Sequence, residues 1–122
     1  MDDKIKQALQ TDRVIDITTT GRKSRQPRRI EIWFHNLDGK LYITGSPGKR
    51  SWYANMLANP DFVFHLKSSL QADIPARARP IQEEAERRQV LGKIIAGLDG
   101  ERNLDEWMAN SPLVEVTLNP TA

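Results

Sequence analysis

The fold is decided by residues 30–44, which read IEIWFHNLDGKLYIT. In the first five residues every second side chain is apolar, which is the period of a β-strand that buries one face. Asp38-Gly39 is typical of the tight turn in a hairpin, and apolar and polar side chains alternate again after it. This stretch therefore predicts two antiparallel strands joined by a short turn.

Four more segments predict strands, because they are rich in β-branched residues or alternate in polarity. They are residues 14–20, 62–66, 70–78 and 114–118. Pro75 falls on the polar face of the long 70–78 segment, so we expect that strand to be an edge or to be bulged there. Since a small antiparallel sheet removes exposed edges by closing on itself, the six strands predict a barrel.

Helical spacing or capping residues predict helices at residues 2–9, 51–57 and 82–96, and a helical turn at 105–110. Ser51 is the expected N-cap of the second helix and Gly97 the expected C-cap of the third. The prediction is one α+β domain spanning residues 1–122, an antiparallel six-stranded β-barrel with peripheral helices.

Charge is unevenly distributed along the 122 residues. Residues 1–50 hold 11 basic and 6 acidic side chains, a balance of +5, whereas residues 51–122 hold 7 and 10, a balance of −3. Five of the eight residues 22–29 are basic: Arg22, Lys23, Arg25, Arg28 and Arg29. An anionic partner near this segment is the first expectation.

Several classes of function are disfavoured by what the chain does not contain. It has no Cys, which excludes thiol catalysis and iron–sulfur clusters, and its two histidines, His35 and His65, have no third metal ligand at suitable spacing. Metal sites and hydrolase motifs are therefore not expected. The acidic N-terminal residues and the lack of an apolar run of about 18 residues predict a cytoplasmic protein without a membrane span.

Two segments remain as candidates for chemistry, TTGRKSRQPRR at 19–29 and ITGSPGKRSWYANMLANP at 43–60. In the second, Lys49 and Arg50 precede a predicted helix whose first N–H groups favour an anion. On composition alone, five exposed bases forming a solvated turn is an equally good reading. Aromatic side chains that could stack on a flat ligand, or simply pack in the core, are Trp33, Tyr42, Trp52 and Tyr53.

Together, T-G-R-K-S-x-Q-P-R and W-Y-x-N-x-L-A-N-P resemble the deazaflavin-dependent nitroreductase family. The resemblance extends from about residue 14 to residue 97. It implies coenzyme F-420 as the cofactor and a split β-barrel similar to that of the flavin-binding pyridoxamine-phosphate oxidases. It also implies hydride transfer from the reduced deazaflavin to a small quinone, enone or nitro compound, a reaction in which the protein mainly positions the ring and excludes water.

The resemblance also implies where the cofactor binds. Arg22, Lys23 and Arg28 match positions that hold its phosphate and polyglutamate tail, and Ser24 belongs to the same motif. The positions implied to contact the ring or the helix start are Ile32, Trp33, Gly45, Ser46, Lys49, Trp52 and Asn55.

The chain departs from the family pattern in two places. The segment between Ser46 and Ser51 is short, and the last 24 residues contain no tyrosine, whereas nitro-reducing relatives place tyrosines there. Ser46 near the ring and Trp107 near the acceptor are the weak candidates for a catalytic role.

These departures leave a second reading, in which the barrel binds FMN, haem or a lipid and acts as a flavin enzyme or a carrier. Nucleic acid is not an expected partner, because the total charge is only +2 and the aromatic residues form no stacking platform. We expect a homodimer, since an open edge at Pro75 and a barrel too small to enclose the cofactor both favour pairing.

Overall fold

The computed structural model describes residues 2–119 as one curled antiparallel sheet of seven strands with four helices. Across the sheet the order is β2-β1-β5-β6-β7-β4-β3. None of the helices in this range is long and apolar enough to cross a membrane. The elements are α1 (Asp3–Thr11), β1 (Val14–Thr20), β2 (Pro27–Trp33), β3 (His35–Leu37), β4 (Lys40–Thr44), α2 (Ser51–Ala58), β5 (Asp61–Leu66), β6 (Ala72–Pro80), α3 (Glu84–Ala96), α4 (Leu104–Asn110) and β7 (Leu113–Leu118).

The barrel follows from the position of Phe34. This residue alone separates β2 from β3 in the chain, yet the two strands lie at opposite edges of the sheet. One short chain can supply both edges only if the sheet curls until they approach each other. Phe34 is 1% exposed and packs edge-to-face on Phe64, with ring centroids 5.3 Å apart.

The predicted α+β antiparallel barrel is therefore confirmed, with one strand more than expected. The first strand of the predicted hairpin is divided at Phe34, where the backbone N–H leaves the ladder and donates to the Arg13 carbonyl at 3.0 Å. The hairpin turn itself lies where it was predicted. Asp38 and Gly39 both have positive φ, 54° and 92°, the left-handed conformation that a two-residue turn requires.

Pro75 marks neither an edge strand nor a bulge, because it pairs with Val63 in continuous register, so that prediction is wrong. Its strand, β6, lies between β5 and β7. The Pro75 carbonyl accepts from the Asn119 N–H at 2.8 Å, just beyond the end of β7. In an antiparallel sheet the N–H and C=O of one residue point toward the same neighbouring strand. The N–H that Pro75 lacks would therefore point toward β7, at the position where pairing with β7 ends.

Two groups of buried side chains hold the molecule together. The larger fills the barrel and includes Ile15, Ile17, Phe64 and Met56, which are all fully buried. The smaller lies outside the barrel, where α3 and α4 cover β4 and β7. Its members are Tyr42, Ile81, Val90, Leu91, Ile94, Trp107 and Leu113. This second group fixes α4 beside the N-terminal end of α2.

Candidate functional site

A cleft of about 1450 Å³ opens between three parts of the chain. One wall is the loop that joins β1 to β2, a second is the segment that leads into α2, and a third is the C-terminal end of α4. Each part is anchored by backbone hydrogen bonds or by the core.

The loop between β1 and β2 is a tight turn that begins at Gly21. The Gly21 N–H donates to the Gln26 carbonyl at 2.9 Å, and the Arg25 N–H donates to the Gly21 carbonyl at 2.8 Å. Arg25 adopts a φ of 58°, and a Cβ at Gly21 would collide with the Ser24 hydroxyl oxygen. A side chain at position 21 would therefore require the Ser24 side chain to move.

This turn separates the five basic side chains into two sets. Arg22, Lys23 and Arg28 line the cleft, whereas Arg25 and Arg29 do not. Arg29 pairs with the Asp16 carboxylate at 3.0 Å. Within residues 2–119, the three side chains of the cleft make no ion pair with a carboxylate, so their charge is uncompensated and available to an anion.

The segment before α2 adds to the same positive region. The predicted N-cap at Ser51 is wrong: Arg50 is the N-cap, and α2 begins at Ser51 without a side-chain capping bond. The Arg50 guanidinium instead donates to the carbonyls of Ser46 at 3.0 Å and Lys49 at 3.2 Å. Because Ala54 donates the first N–H along the helix, to Arg50 O at 3.2 Å, the N–H groups before it have no intrahelical acceptor.

Asn55 joins the helix to the basic loop. Its side chain is 7% exposed, its Nδ2 donates to Thr19 Oγ1 at 3.1 Å, and its Oδ1 accepts from the Arg22 N–H at 3.1 Å. Both ends of the amide are thus used within the protein. Asn55 fixes the direction in which Arg22 leaves β1.

Apolar surface lies beside these cations. Trp52 and Tyr53 pack edge-to-face, with ring centroids 6.0 Å apart, and both line the cleft. Ile30 and Leu57, which are 38% and 50% exposed, line it as well. The cleft therefore offers apolar walls next to an uncompensated positive charge, which suits a flat ligand with an anionic extension.

The wall from α4 is held by Arg87. Its guanidinium donates to the carbonyls of Ile81 at 2.9 Å, Trp107 at 3.3 Å, Met108 at 2.8 Å and Ser111 at 2.9 Å. These include carbonyls that the end of a helix leaves without partners. The Gly48 N–H also donates to the Asn110 carbonyl at 3.0 Å, which ties this wall to the loop before α2.

The profile of the F420H(2)-dependent quinone reductase family matches residues 1–117. The chain belongs to this family. It is an oxidoreductase that uses coenzyme F-420, and the resemblance described from the sequence is confirmed. The FMN alternative has little support beside this match.

Solved structures show the same fold at low sequence identity. A conserved hypothetical protein, Rv2991 from Mycobacterium tuberculosis, matches with a TM-score of 0.72 and 17% identity, over 98% of this chain and 81% of its own. A putative pyridoxamine 5'-phosphate oxidase from Listeria innocua matches with 0.69 and 16%, over 96% and 92%. A structure described as an F420 reductase matches with 0.65 and 19%, over 93% and 92%. The reductase therefore has the split-barrel fold.

Most of the positions expected to bind the cofactor lie around the cleft of the reductase. Those that line it are Arg22, Lys23, Ser24, Arg28, Lys49, Trp52 and Asn55. The roles that the resemblance gives them stay predictions.

Four expected positions and Trp107 are not among the residues that line the cleft. Ile32 packs on the barrel core, and Trp33, on the other face of β2, is 54% exposed. A Cβ at Gly45 would lie 3.4 Å from the Arg50 guanidinium, and the Ser46 carbonyl accepts from that same group. The Trp107 side chain is 5% exposed within the group of buried residues under α3 and α4.

Sequence reasoning missed Arg50 and Arg87 as residues that shape the site. The sequence indicates Arg50 only as a cation near a helix start, and it gives Arg87 no role within the predicted helix 82–96. A weak signal existed for Arg87: it stands three residues before the buried Val90, on the face of α3 that packs inward.

The histidines lie away from the cleft. The His65 ring is buried between Asp73, at 2.6 Å from its Nδ1, and the Thr18 hydroxyl, at 2.7 Å from its Nε2. The hydrogen bond to His65 lowers the pKa of Asp73. Burial lowers the pKa of His35 below its ordinary value, with a smaller contribution from the charge of Arg13.

Proposed function

We propose that the reductase transfers a hydride from reduced coenzyme F-420 to a quinone, with both molecules bound in the cleft. The observation that carries this proposal is the grouping of Arg22, Lys23 and Arg28, without carboxylate partners, beside exposed apolar side chains. A phosphate and a carboxylate tail match the charges, and a flat ring matches the apolar surface.

The residues fit the cofactor by charge and by backbone chemistry. Arg22, Lys23 and Arg28 would hold its anionic groups, together with Lys49 and the free N–H groups at the start of α2. When bound, the reduced deazaflavin supplies a hydride and a proton, so that a quinone gains two electrons and two protons and leaves as a hydroquinone.

The protein contributes mainly position and environment to this reaction. Asn55 and Arg50 hold the two loops that border the cleft, and Arg87 holds the wall from α4. Among the described residues that line the cleft, Glu106 is the single carboxylate. The site therefore favours anionic or neutral ligands, and its walls would position them for the transfer. Enones and nitro compounds are electron-poor acceptors like quinones, so the proposal extends to them.

A binding titration tests the proposal. Wild-type protein is titrated with oxidised F-420 and, on the same sample, with FMN, and deazaflavin fluorescence or flavin fluorescence is followed. We expect micromolar or tighter binding of F-420 and weaker binding of FMN. The absence of any change in deazaflavin fluorescence at micromolar protein would refute the proposed cofactor site.

The basic loop supplies its own control. Arg22→Ala and Lys23→Ala each remove a cation from the cleft, whereas Arg25→Ala removes one from the same loop without changing the lining. We expect the first two to raise the Kd about tenfold, the range of one charge-assisted contact, and Arg25→Ala to change it less than about twofold. Equal losses in all three variants would show that only net charge matters.

A homodimer is part of the proposal, but Pro75 no longer supports it. In residues 2–119 the edge strands are β2 and β3, and Trp33 on β2 is 54% exposed. An apolar side chain on an edge strand favours contact with a second copy. Light scattering at several protein concentrations measures the mass, and a monomer at all of them would contradict the expectation.

A further inference from the structure

Ser111, the residue that ends α4, has a hydroxyl group without a partner. Its side chain is 6% exposed, and among the described residues its Oγ is the buried side-chain polar atom for which no hydrogen bond exists. The backbone of the same residue is fully used: its N–H donates to the Trp107 carbonyl at 3.0 Å, and its C=O accepts from Arg87 at 2.9 Å. Of the polar groups of Ser111, only the hydroxyl has no hydrogen-bond partner.

Buried polar groups in native proteins nearly always have partners, because leaving one unpaired costs free energy. The exceptions often have a role that a ligand completes. Ser111 belongs to the wall of the cleft, between Asn110 and Pro112, which line it as well. No hydrogen bond holds its hydroxyl in the present rotamer, so a turn about χ1 toward the cleft breaks no bond and can form one.

The surroundings of Ser111 restrict what that bond can be. On the same wall, Met108, Ala109 and Pro112 carry apolar side chains, whereas Glu106 and Asn110 are polar and exposed. The Arg87 guanidinium is committed to four carbonyls. The uncompensated cations Arg22, Lys23 and Arg28 belong to the β1–β2 loop and to β2, not to α4. The end of α4 therefore combines apolar side chains with one buried, unpaired hydroxyl, and the Arg87 guanidinium is held next to it, 2.9 Å from the Ser111 carbonyl oxygen.

We propose that the Ser111 hydroxyl donates a hydrogen bond to a carbonyl oxygen of the acceptor. The inference rests on the proposed function, because it takes a quinone as the molecule that meets the α4 wall. As the quinone accepts a hydride, negative charge develops on its oxygens. A hydroxyl donor on a residue whose carbonyl contacts the Arg87 guanidinium favours that charge more than the neutral carbonyl. The Ser111 proton stays on its own oxygen.

The test compares ligands with and without carbonyl groups. Wild type, Ser111→Ala and a remote control, Ser68→Ala, are titrated with 1,4-naphthoquinone and with naphthalene by ligand-observed NMR. Ser68 is exposed, and its hydroxyl makes only a long contact of 3.4 Å with the Val14 carbonyl. Each titration is run with and without saturating oxidised F-420. Steady-state reduction of the quinone is measured in parallel, together with thermal unfolding of each variant.

We expect Ser111→Ala to weaken naphthoquinone binding by about five- to twentyfold and to leave naphthalene binding unchanged, since only the quinone has an oxygen to accept the bond. The kcat/KM for the quinone falls by at least the same factor, and the Kd of F-420 does not change. The unfolding temperature stays the same or rises, because the variant loses no intramolecular bond. Ser68→Ala behaves as wild type throughout.

Several results overturn the inference. They are equal quinone binding by wild type and Ser111→Ala, an equal loss of both ligands, a lower unfolding temperature with no change in discrimination, or no quinone binding by wild type under either condition. The proposed cofactor fails separately. If F-420 does not bind but Ser111→Ala still abolishes the preference for the quinone, the cofactor proposal is wrong and the role of Ser111 stands.

Discussion

Replacement of Asn55 by alanine tests whether this one side chain holds the loop between β1 and β2 against α2. Asn55 is nearly buried, and its amide connects the Thr19 hydroxyl with the Arg22 N–H at 3.1 Å on each side. The substitution removes both bonds without adding volume. Thr19 is 2% exposed, so its hydroxyl has no access to water in exchange, whereas the exposed Arg22 can hydrate its N–H.

The expected loss of stability follows from that difference. An unpaired buried hydroxyl costs about 1–3 kcal/mol, and an exchange of a protein partner for water costs about 0.5–1 kcal/mol. We expect a total of about 2.5 kcal/mol. With an unfolding entropy of about 2.1 cal/mol/K per residue, a chain of 122 residues loses roughly 10 °C in unfolding temperature.

The matched control lies one turn further along, at the C-cap of the same helix. Asn59 is exposed, and its Oδ1 accepts one bond, from the Asp61 N–H at 3.3 Å. Asn59→Ala should therefore cost less than about 1 kcal/mol. Urea unfolding gives both free energies, and a titration with F-420 shows whether the loop is displaced. We expect a Kd about tenfold higher for Asn55→Ala and unchanged for Asn59→Ala.

Two outcomes would refute the reasoning about Asn55. If both variants lose the same stability, the buried amide is no more important than an exposed one. If Asn55→Ala is destabilised but binds F-420 as tightly as wild type, the bond to Arg22 does not position the basic loop for the cofactor.

Two further predictions concern the α4 wall and the sheet. Arg87→Met removes four bonds to carbonyls, so we expect the free energy of unfolding in urea to fall by about 3–5 kcal/mol. The KM for the quinone should rise more than the Kd of F-420. The control, Arg88→Met, breaks only an exposed ion pair at 3.6 Å and should cost less than about 0.5 kcal/mol. Burial lowers the pKa of His35 in the folded protein, so the unfolded chain takes up a proton on this histidine at higher pH than the folded chain does. Stability therefore falls as the pH drops below about 6.5. The urea midpoint of His35→Gln should decline less between pH 7 and pH 5 than that of wild type, and an equal decline in both proteins would contradict this.

The barrel could be predicted because local patterns in the sequence indicate its strands. The alternation in residues 62–66 and 114–118 reappears as buried residues on β5 and β7, and the Asp38-Gly39 turn lies where its positive φ values allow it. The extra strand could not be predicted, because Phe34 continues the alternation while its backbone leaves the ladder. Only closure of the sheet, a long-range event, divides the strand there.

Pro75 shows the opposite error. A proline lacks the N–H of the ladder, and from the sequence alone an edge strand is the simplest place for it. The structure instead places it in a central strand, at the point where the neighbouring strand ends. The sequence shows that Pro75 has no backbone N–H to donate. Only the register between β6 and β7 shows that this N–H is not needed.

In the site, too, local features could be predicted from the sequence and long-range contacts could not. A local excess of basic residues is visible in the sequence, so the cluster in residues 22–29 could be predicted. The sequence alone cannot distinguish Arg29, which pairs with Asp16, from Arg28, which lines the cleft. Register makes the distinction, since neighbouring residues on β2 face opposite sides of the sheet. Arg28 pairs with the buried Thr19, and Arg29 with the outward-facing Thr18.

The two arginines that sequence reasoning missed have a common physical character. Arg50 and Arg87 bind backbone carbonyls, which every residue possesses, so no particular side-chain pattern marks their partners. Each holds a segment that ends at the cleft, and neither needs a carboxylate in return. Their positive charge is therefore partly satisfied in structure and still contributes to the potential of the cleft. A site for an anionic cofactor can thus use some cations as supports while leaving Arg22, Lys23 and Arg28 free for the ligand.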